Sequence, residues 1–179
     1  VQTIFVHHEL RYVRNANEMS LFEEMTDEDR MLFSVAKDYE RAALLKYKHV
    51  IALTEVDRQL LIDFLGRKER IYASPAVVQM SDTSIEEFTP AITHRLTFVG
   101  SGDHYPNLDA ITWFCKEVAP YLHKQGFSFD FRVAGRWDCS HIVRLSSVCP
   151  EIKFVGYVED LSDFLKGSIA LVPIRIGSG

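Results

Sequence analysis

A chain of 179 residues is long enough to bury one large hydrophobic core or two small ones, so length alone does not decide the number of domains. Apolar residues make up 47% of the chain and charged residues 25%, a balance that is typical of globular proteins and argues against disorder. The net charge is −5 with acidic and basic residues interspersed, so the chain lacks the basic stripe that nucleic-acid binding requires.

The cysteines and the lengths of the apolar runs bear on the compartment of the protein. Cys115, Cys139 and Cys149 are odd in number and fit neither a disulfide framework nor a metal-ligand spacing, which favours a reducing, cytoplasmic compartment. No apolar run approaches the roughly 18 residues that cross a bilayer, and no charged-then-apolar leader opens the chain. The chain opens on a strand pattern and ends in a glycine loop, and we interpret it as a piece of a longer protein.

The first strand pattern, Thr3–Val6, carries a polar cluster at its carboxyl end. His7, His8 and Glu9 lie in this cluster, at a position where α/β enzymes place their chemistry. One of the two adjacent histidines could instead serve only to satisfy a helix or loop hydrogen bond. Residues 15–28 are polar and acidic, which predicts a loop or a loosely held helix.

The next part of the chain predicts two helices and two strands. Apolar positions at three- and four-residue intervals predict an amphipathic helix from about Asp29 to Tyr47. Thr54 and Asp57 resemble a capping box that opens a second helix, and Gly66 ends it. The positions of this second helix that are predicted to face inward are Val56, Leu60, Leu61 and Phe64. The predicted strands are 49–53 and 70–73.

Residues 81–94 differ in composition from the chain on both sides. They are rich in Ser, Thr, Asp and Glu, and they contain one proline. We predict a linker here between two α/β domains, residues 1–80 and 95–179. A surface excursion within a single domain is the alternative.

Four short apolar runs separated by helical patterns predict a parallel sheet in the second half. The runs are Leu96–Val99, Phe129–Ala134, Ile152–Val155 and Ile169–Pro173. Parallel strands need crossover helices, so their carboxyl ends gather at one edge, where open α/β sheets bind ligands. The first of these helices opens at Pro106, and we expect Pro120 to break or kink its last turn.

The loops after these strands have the composition of a phosphate site. Unpaired N–H groups in a glycine-rich turn, followed by a helix N-terminus, favour negative charge, and Gly100-Ser101-Gly102 and Gly177-Ser178-Gly179 are candidates. Arg136 and Arg175 are candidate cations for a diphosphate, although each could be a surface or salt-bridged arginine. Trp137 could stack on a base or pack on the core.

The third loop offers a backbone contact but no catalytic motif. Gly156-Tyr157-Val158 could pair its backbone with the edge of a nucleobase, whereas Glu159-Asp160 is expected to cap the next helix. The sequence contains no nucleophile elbow, Walker loop or metal-ligand pair. Asp103 and His104 are too few to hold a metal.

Short motifs in the second half resemble the donor half of the family 4 (group 1) glycosyltransferases of GT-B fold. In chain order they are Phe98-Val99-Gly100, Pro106-Asn107-Leu108-Asp109-Ala110, Trp113-Phe114, Val118-Ala119-Pro120, Val133-Ala134-Gly135, Phe154 through Leu161, Val172-Pro173 and Gly177-Ser178-Gly179. In the first half, His8-Glu9 followed by Arg14, and Tyr39-Glu40 leading into the segment 49–57, resemble the acceptor domain of that family.

The resemblance implies two incomplete Rossmann-like parallel-sheet units. It also implies a cytosolic enzyme that moves a sugar from a nucleotide-diphosphate sugar to a carbohydrate or lipid-linked acceptor, with retention and without a metal or other cofactor. Polysaccharide biosynthesis is the expected setting, with no nucleic-acid partner and with peripheral membrane contact of the full-length protein left open.

The resemblance also suggests a role for individual residues. His8 would lie near the transferred sugar, as the candidate catalytic residue. The donor would be approached by Gly100 and Ser101, its diphosphate by Arg136 and Arg175, its base by Tyr157 and Val158, and its phosphates by Gly177, Ser178 and Gly179.

The chain also departs from the family pattern. Ser101 and Asp103 stand where the first donor loop of the family usually has Arg and Lys, and the acidic donor-sugar motif would lie beyond Gly179. We therefore expect the 179-residue chain alone to transfer no sugar. The alternatives are a non-catalytic nucleotide-binding or regulatory module and an interaction domain that binds no ligand.

Overall fold

The computed structural model describes residues 3–75 and 94–177. These residues form two compact units, one of residues 3–75 with 176–177 and one of residues 94–175. The predicted linker, residues 81–94, lies outside the described residues except for His94. The assignment of 1–80 to an acceptor side and 95–179 to a donor side stays a prediction.

The first unit is a parallel α/β unit with three strands. Its elements in chain order are β1 (Ile4–His7), α1 (Arg11–Met19), α2 (Asp27–Leu44), β2 (His49–Ala52), α3 (Glu55–Leu65) and β3 (Ile71–Ala73). The strand order is β1-β2-β3, with Ile4 opposite His49 and Val50 opposite Ile71. Its buried core consists of Leu10, Leu44, Val50, Ala52, Leu61, Phe64, Leu65 and Ile71.

Helix α2 begins two residues before the predicted start because it carries a capping box that the periodicity did not reveal. The hydroxyl of Thr26 accepts from the N–H of Asp29 at 3.1 Å, and the carboxylate of Asp29 accepts from the N–H of Thr26 at 3.0 Å. Two N–H groups at the helix start are thereby satisfied. The stretch 15–28, predicted to be a loop or a loosely held helix, contains the last five residues of α1 and the first two of α2.

The capping box gives a direct prediction about local stability. Thr26→Ala should lower the stability of the first turns of α2 by about 1 kcal/mol, because one N–H loses its acceptor. Hydrogen exchange of the amides of 27–31 measures this. Ser34→Ala, at an exposed site within the same helix, is the control and should leave the exchange unchanged or slower. Equal effects of the two substitutions would contradict the capping role.

Helix α3 begins and ends as predicted, but one of the residues that were predicted to face inward is exposed. The hydroxyl of Thr54 accepts from the N–H of Asp57 at 3.0 Å, and Gly66 closes the helix in the left-handed region at φ +67°. Leu61 and Phe64 are buried, but Val56 is 67% exposed, contrary to prediction. At 3.6 residues per turn, Val56 lies about 140° around the helix from Leu61, which takes it off the buried arc.

The second unit is a parallel α/β unit with four strands, as the sequence predicted. Its elements are β4 (Arg95–Val99), α4 (Tyr105–Trp113), a π-helical turn (Phe114–Val118), α5 (Ala119–Lys124), β5 (Asp130–Ala134), α6 (Cys139–Val148), β6 (Ile152–Gly156), α7 (Leu161–Leu165) and β7 (Ile169–Ala170). The strand order is β6-β5-β4-β7, and every neighbouring pair is parallel. The carboxyl ends therefore share one edge.

Strand β7 is shorter than the predicted run Ile169–Pro173. It pairs with β4 only at Ile169 and Ala170, followed by one hydrogen bond from the N–H of Leu171 to the oxygen of Thr97 at 2.8 Å. Pro173 has no N–H to donate, so the ladder ends before it.

The predicted helix from Pro106 to Leu122 is interrupted just before Pro120. The π-helical turn Phe114–Val118 separates α4 from α5, and the N–H of Ala119 donates to the oxygen of Phe114, five residues back. A proline within a helix lacks the N–H for the usual bond and crowds the carbonyl four residues earlier. The wider turn accommodates Pro120 without ending the helical path.

The core of the second unit lies between its sheet and the helices of 105–148. Its fully buried side chains include Ile111, Phe131, Val133 and Leu145. Cys115 and Cys149 are buried there and Cys139 is exposed, and all three thiols are free. Within the part of the chain that the structure describes, no helix has both the length and the apolar character to cross a membrane.

Candidate functional site

The loops after β4 and β5 are bonded tightly to each other at the carboxyl edge of the second sheet. The N–H of Gly100 donates to the oxygen of Ala134, the N–H of Gly102 donates to the oxygen of Arg136, and Nε1 of Trp137 donates to the oxygen of Gly100, each at 2.9 Å. Because each bond joins residues more than 30 positions apart, the two loops form one rigid surface.

Close packing explains why glycine follows these strands. A Cβ on Gly135 would lie 2.3 Å from the backbone oxygen of Gly100, and its φ of +128° disfavours other residues. A Cβ on Gly102 would lie 2.5 Å from the ring of Trp137. The glycines let the loops contact each other at backbone distance, a reason that the sequence pattern did not reveal.

The loop after β6 joins the same surface. The N–H of Gly135 donates to the oxygen of Gly156 at 2.7 Å. Tyr157 follows and is 88% exposed, so its ring face is free of packing. Asp160 accepts from the N–H of Asp163 at 3.0 Å and caps α7, as predicted.

An open cavity of about 740 Å³ lies among the three loops. Polar groups and aromatic rings share its lining, which consists of Ser101, Gly135, Arg136, Trp137, Ile142, Phe154, Val155, Gly156 and Tyr157. Its volume lies within the range of sites for small molecules and cofactors. Ser101, Arg136, Trp137 and Tyr157 are residues that the sequence predicted as candidates. Ile142, Phe154 and Val155 were not predicted, and the last two were assigned only to a strand.

Arg136, which lines the cavity, forms an ion pair with a carboxylate. Nη2 of Arg136 donates to Oδ2 of Asp103, and the two side chains are 82% and 53% exposed. This hydrogen bond lowers the pKa of the Asp103 carboxyl and raises the pKa of Arg136, so both are charged at neutral pH. The N–H of Arg136 also lies 3.3 Å from the hydroxyl oxygen of Ser101.

The second candidate cation, Arg175, does not line the cavity. Its Nε and Nη2 donate to the two carboxylate oxygens of Asp109 at 3.0 and 2.5 Å, and its guanidinium lies 5.4 Å from the ring centroid of Trp113. The salt-bridged alternative considered for Arg175 is therefore the one that the structure displays.

The other predicted donor residues are placed as follows. Gly100 lies in the bonded loop but does not line the cavity, and neither does Val158. Gly177 belongs to the first unit, and Ser178 and Gly179 lie outside the described residues. Their roles stay predictions.

The first unit has a cavity of its own, of about 550 Å³, at the carboxyl end of β1. His8 is exposed and lines it. His7 is 7% exposed, and its Nε2 lies 3.7 Å from Oε1 of Glu40, an ion-pair distance. Of the two alternatives considered for the histidines, the structural one is observed for His7, and the role of His8 stays a prediction.

Glu40 holds the start of α1, a role that sequence reasoning missed. Its two carboxylate oxygens accept from the N–H groups of Arg11 and Tyr12 at 2.9 and 2.8 Å. The side chain of Leu10, at the N-cap position of α1, does not cap the helix. The carboxylate of Glu40, in α2, accepts from the N–H groups of the first turn instead. Desolvation raises the pKa of Glu40, but His7 and the two N–H groups outweigh it, and the net shift is downward. No local sequence signal could have revealed a cap that lies 29 residues away.

Among residues 3–75 and 94–177, no cluster of three or more His, Cys, Asp or Glu side chains has the arrangement to hold a metal ion.

The two parallel α/β units are Rossmann-like units of the kind found in the GT-B fold. Residues 93–179 match the family described as "Glycosyl transferases group 1". This segment of the chain is therefore similar to the group 1 glycosyltransferases.

Comparison with solved structures agrees with the fold. The crystal structure of TarM superposes with a TM-score of 0.60 over 94% of this chain, at 16% sequence identity. The chain spans 30% of the length of the TarM chain. A sequence comparison with curated proteins gave no match.

Proposed function

We propose that the protein carrying this chain transfers a sugar from a nucleotide-diphosphate sugar to a carbohydrate or lipid-linked acceptor. The reaction proceeds with retention at the anomeric carbon and without a metal or other cofactor, in a reducing, cytoplasmic compartment, as part of polysaccharide biosynthesis. The observation that supports this most is the 740 Å³ cavity inside the family segment, which combines a guanidinium with aromatic rings.

The cavity suits a nucleoside diphosphate. A departing diphosphate gathers negative charge, and a prearranged cation stabilises that charge. Arg136 supplies the cation at the rim, and Ser101 adds a hydroxyl beside it. The exposed ring of Tyr157 offers a face on which a base can stack, because one side of the ring is unpacked.

The remaining residues complete the proposal. His8 lies near the transferred sugar, and the other donor contacts are Gly100, Val158, Arg175, Gly177, Ser178 and Gly179. For Arg175 to contact the diphosphate, it must first exchange its bidentate bond to Asp109.

Nucleotide binding to this chain tests the donor site directly. Calorimetry with UDP and GDP should detect binding of one of them, and Arg136→Gln should weaken it about tenfold, the loss of one charge-assisted contact. Arg144→Gln, an exposed arginine on α6 outside the cavity, is the matched control and should bind like the unchanged chain. If neither nucleotide binds, or if both variants bind equally, the donor site is not where we place it.

The chain alone is proposed to be inactive in transfer. Turnover of a nucleotide sugar by the purified 179-residue chain would contradict this part of the proposal and would leave the binding site intact.

A further inference from the structure

An acidic side chain forms an ion pair with Arg136, the arginine that lines the cavity. Asp103 comes from the loop after β4 and Arg136 from the loop after β5, and the carboxylate accepts directly from the guanidinium. One donor of the guanidinium that lines the cavity is therefore already engaged by a negative charge of the protein itself.

The ion pair is not what holds the two loops together. The backbone bond from Gly102 to Arg136 and the indole bond from Trp137 to Gly100 do that, each at 2.9 Å. The carboxylate and the guanidinium are 53% and 82% exposed, and an exposed ion pair of this kind stabilises a fold very little. The pair must therefore be explained by what it does to the site.

We propose that Asp103 is an affinity-setting residue of the nucleotide site, which competes with the diphosphate for the guanidinium of Arg136. The proposal rests on the proposed function. When the diphosphate binds, Arg136 exchanges the carboxylate for phosphate oxygens, and Asp103 turns into solvent. Because both side chains are exposed, the exchange needs side-chain rotation only, and the loops stay in place.

The exchange depends on the charge of Asp103 and on the presence of Arg136. A carboxylate left beside the phosphates would repel them, so the bond from Arg136 to Asp103 and the binding of the diphosphate oppose each other. Asp103 acts through Arg136, because its hydrogen bond reaches that residue. Neutralising Asp103 should therefore tighten binding only while Arg136 is present.

Calorimetry with UDP on four chains tests this: the unchanged chain, Asp103→Asn, Arg136→Gln and the double variant. Asp103→Asn should bind UDP about three- to fivefold tighter at low salt, the range of an exposed ion pair. The double variant should bind like Arg136→Gln alone. Asp138→Asn is the charge-matched control, because Asp138 interacts electrostatically with Arg136 but forms no hydrogen bond with it. This substitution should change the affinity for UDP less than Asp103→Asn does.

Each other outcome overturns the proposal in a distinguishable way. Equal or weaker binding by Asp103→Asn, while the unchanged chain binds UDP, removes the competing role and keeps the proposed function. Tighter UDP binding that persists in the double variant, or that is equally large in Asp138→Asn, would mean that general charge repulsion sets the affinity and not competition for Arg136. If GDP is the nucleotide that binds, the same chains are compared with GDP. Absence of binding of both UDP and GDP by all chains, each shown to be folded by its tryptophan emission, removes the proposed function and this proposal together.

Discussion

Gly135→Ala should destabilise the second unit by about 2–6 kcal/mol. The φ of +128° at this position costs an alanine about 1–3 kcal/mol. The added Cβ would also lie 2.3 Å from the oxygen and 2.7 Å from the carbon of Gly100, both backbone atoms. Neither can rotate away, so the loops must separate, at a further cost of about 1–3 kcal/mol.

Urea unfolding followed by tryptophan emission measures this effect on the second unit alone, because both tryptophans, Trp113 and Trp137, lie in it. Gly126→Ala is the matched control. Its φ is +81°, but no atom lies within 4 Å of its Cβ, so it should cost only about 1 kcal/mol. Equal costs for the two variants would show that conformation alone, and not contact between the loops, requires glycine at 135.

The same contact decides the shape of the candidate site. Separation of the two loops would break the bonds from Gly102 to Arg136 and from Trp137 to Gly100, which position the cavity lining. UDP binding by Gly135→Ala should therefore be lost even at temperatures where the variant is folded.

The parts of the fold that the sequence predicted are those that local periodicity encodes. Short Val- and Ile-rich runs separated by helical patterns admit only a parallel sheet, so the shared carboxyl edge and its loops could be placed before the structure was known. The N-cap at Thr54 and the left-handed Gly66 are local in the same sense, because both partners lie within a helical turn.

The features that the sequence did not predict depend on hydrogen bonds between residues that are distant in the chain. Arg175 and Asp109 are 66 residues apart, Arg136 and Asp103 are 33 apart, and Glu40 caps a helix 29 residues before it. Composition could name each arginine as a cation but could not say which carboxylate it meets. The resemblance selected His8 as the candidate catalytic residue, but the contact between His7 and Glu40 could not be predicted, because the two residues are distant in the chain.

A second large effect is expected from substitution of Glu40. Glu40→Gln should lower the stability of α1 by about 2–3 kcal/mol, because a carboxylate that accepts from the N–H groups of Arg11 and Tyr12 is replaced by an amide. The amide oxygen can accept from one N–H, while the amide nitrogen faces the other as a second donor. Hydrogen exchange of the amides of 11–19 measures the loss.

The pH dependence of the same exchange identifies the charge as the cause. The pKa of Glu40 is lowered in the folded protein, so its contribution is full above the unfolded value of about 4.3 and is lost as the pH falls through the lower folded value. The stability of α1 should therefore fall in acid in the unchanged chain and much less in Glu40→Gln. Asp38→Asn, exposed on the same helix, should retain both the stability and its acid dependence. If Asp38→Asn weakens α1 as much as Glu40→Gln does, the effect comes from α2 as a whole, and the carboxylate of Glu40 is not the cap of α1.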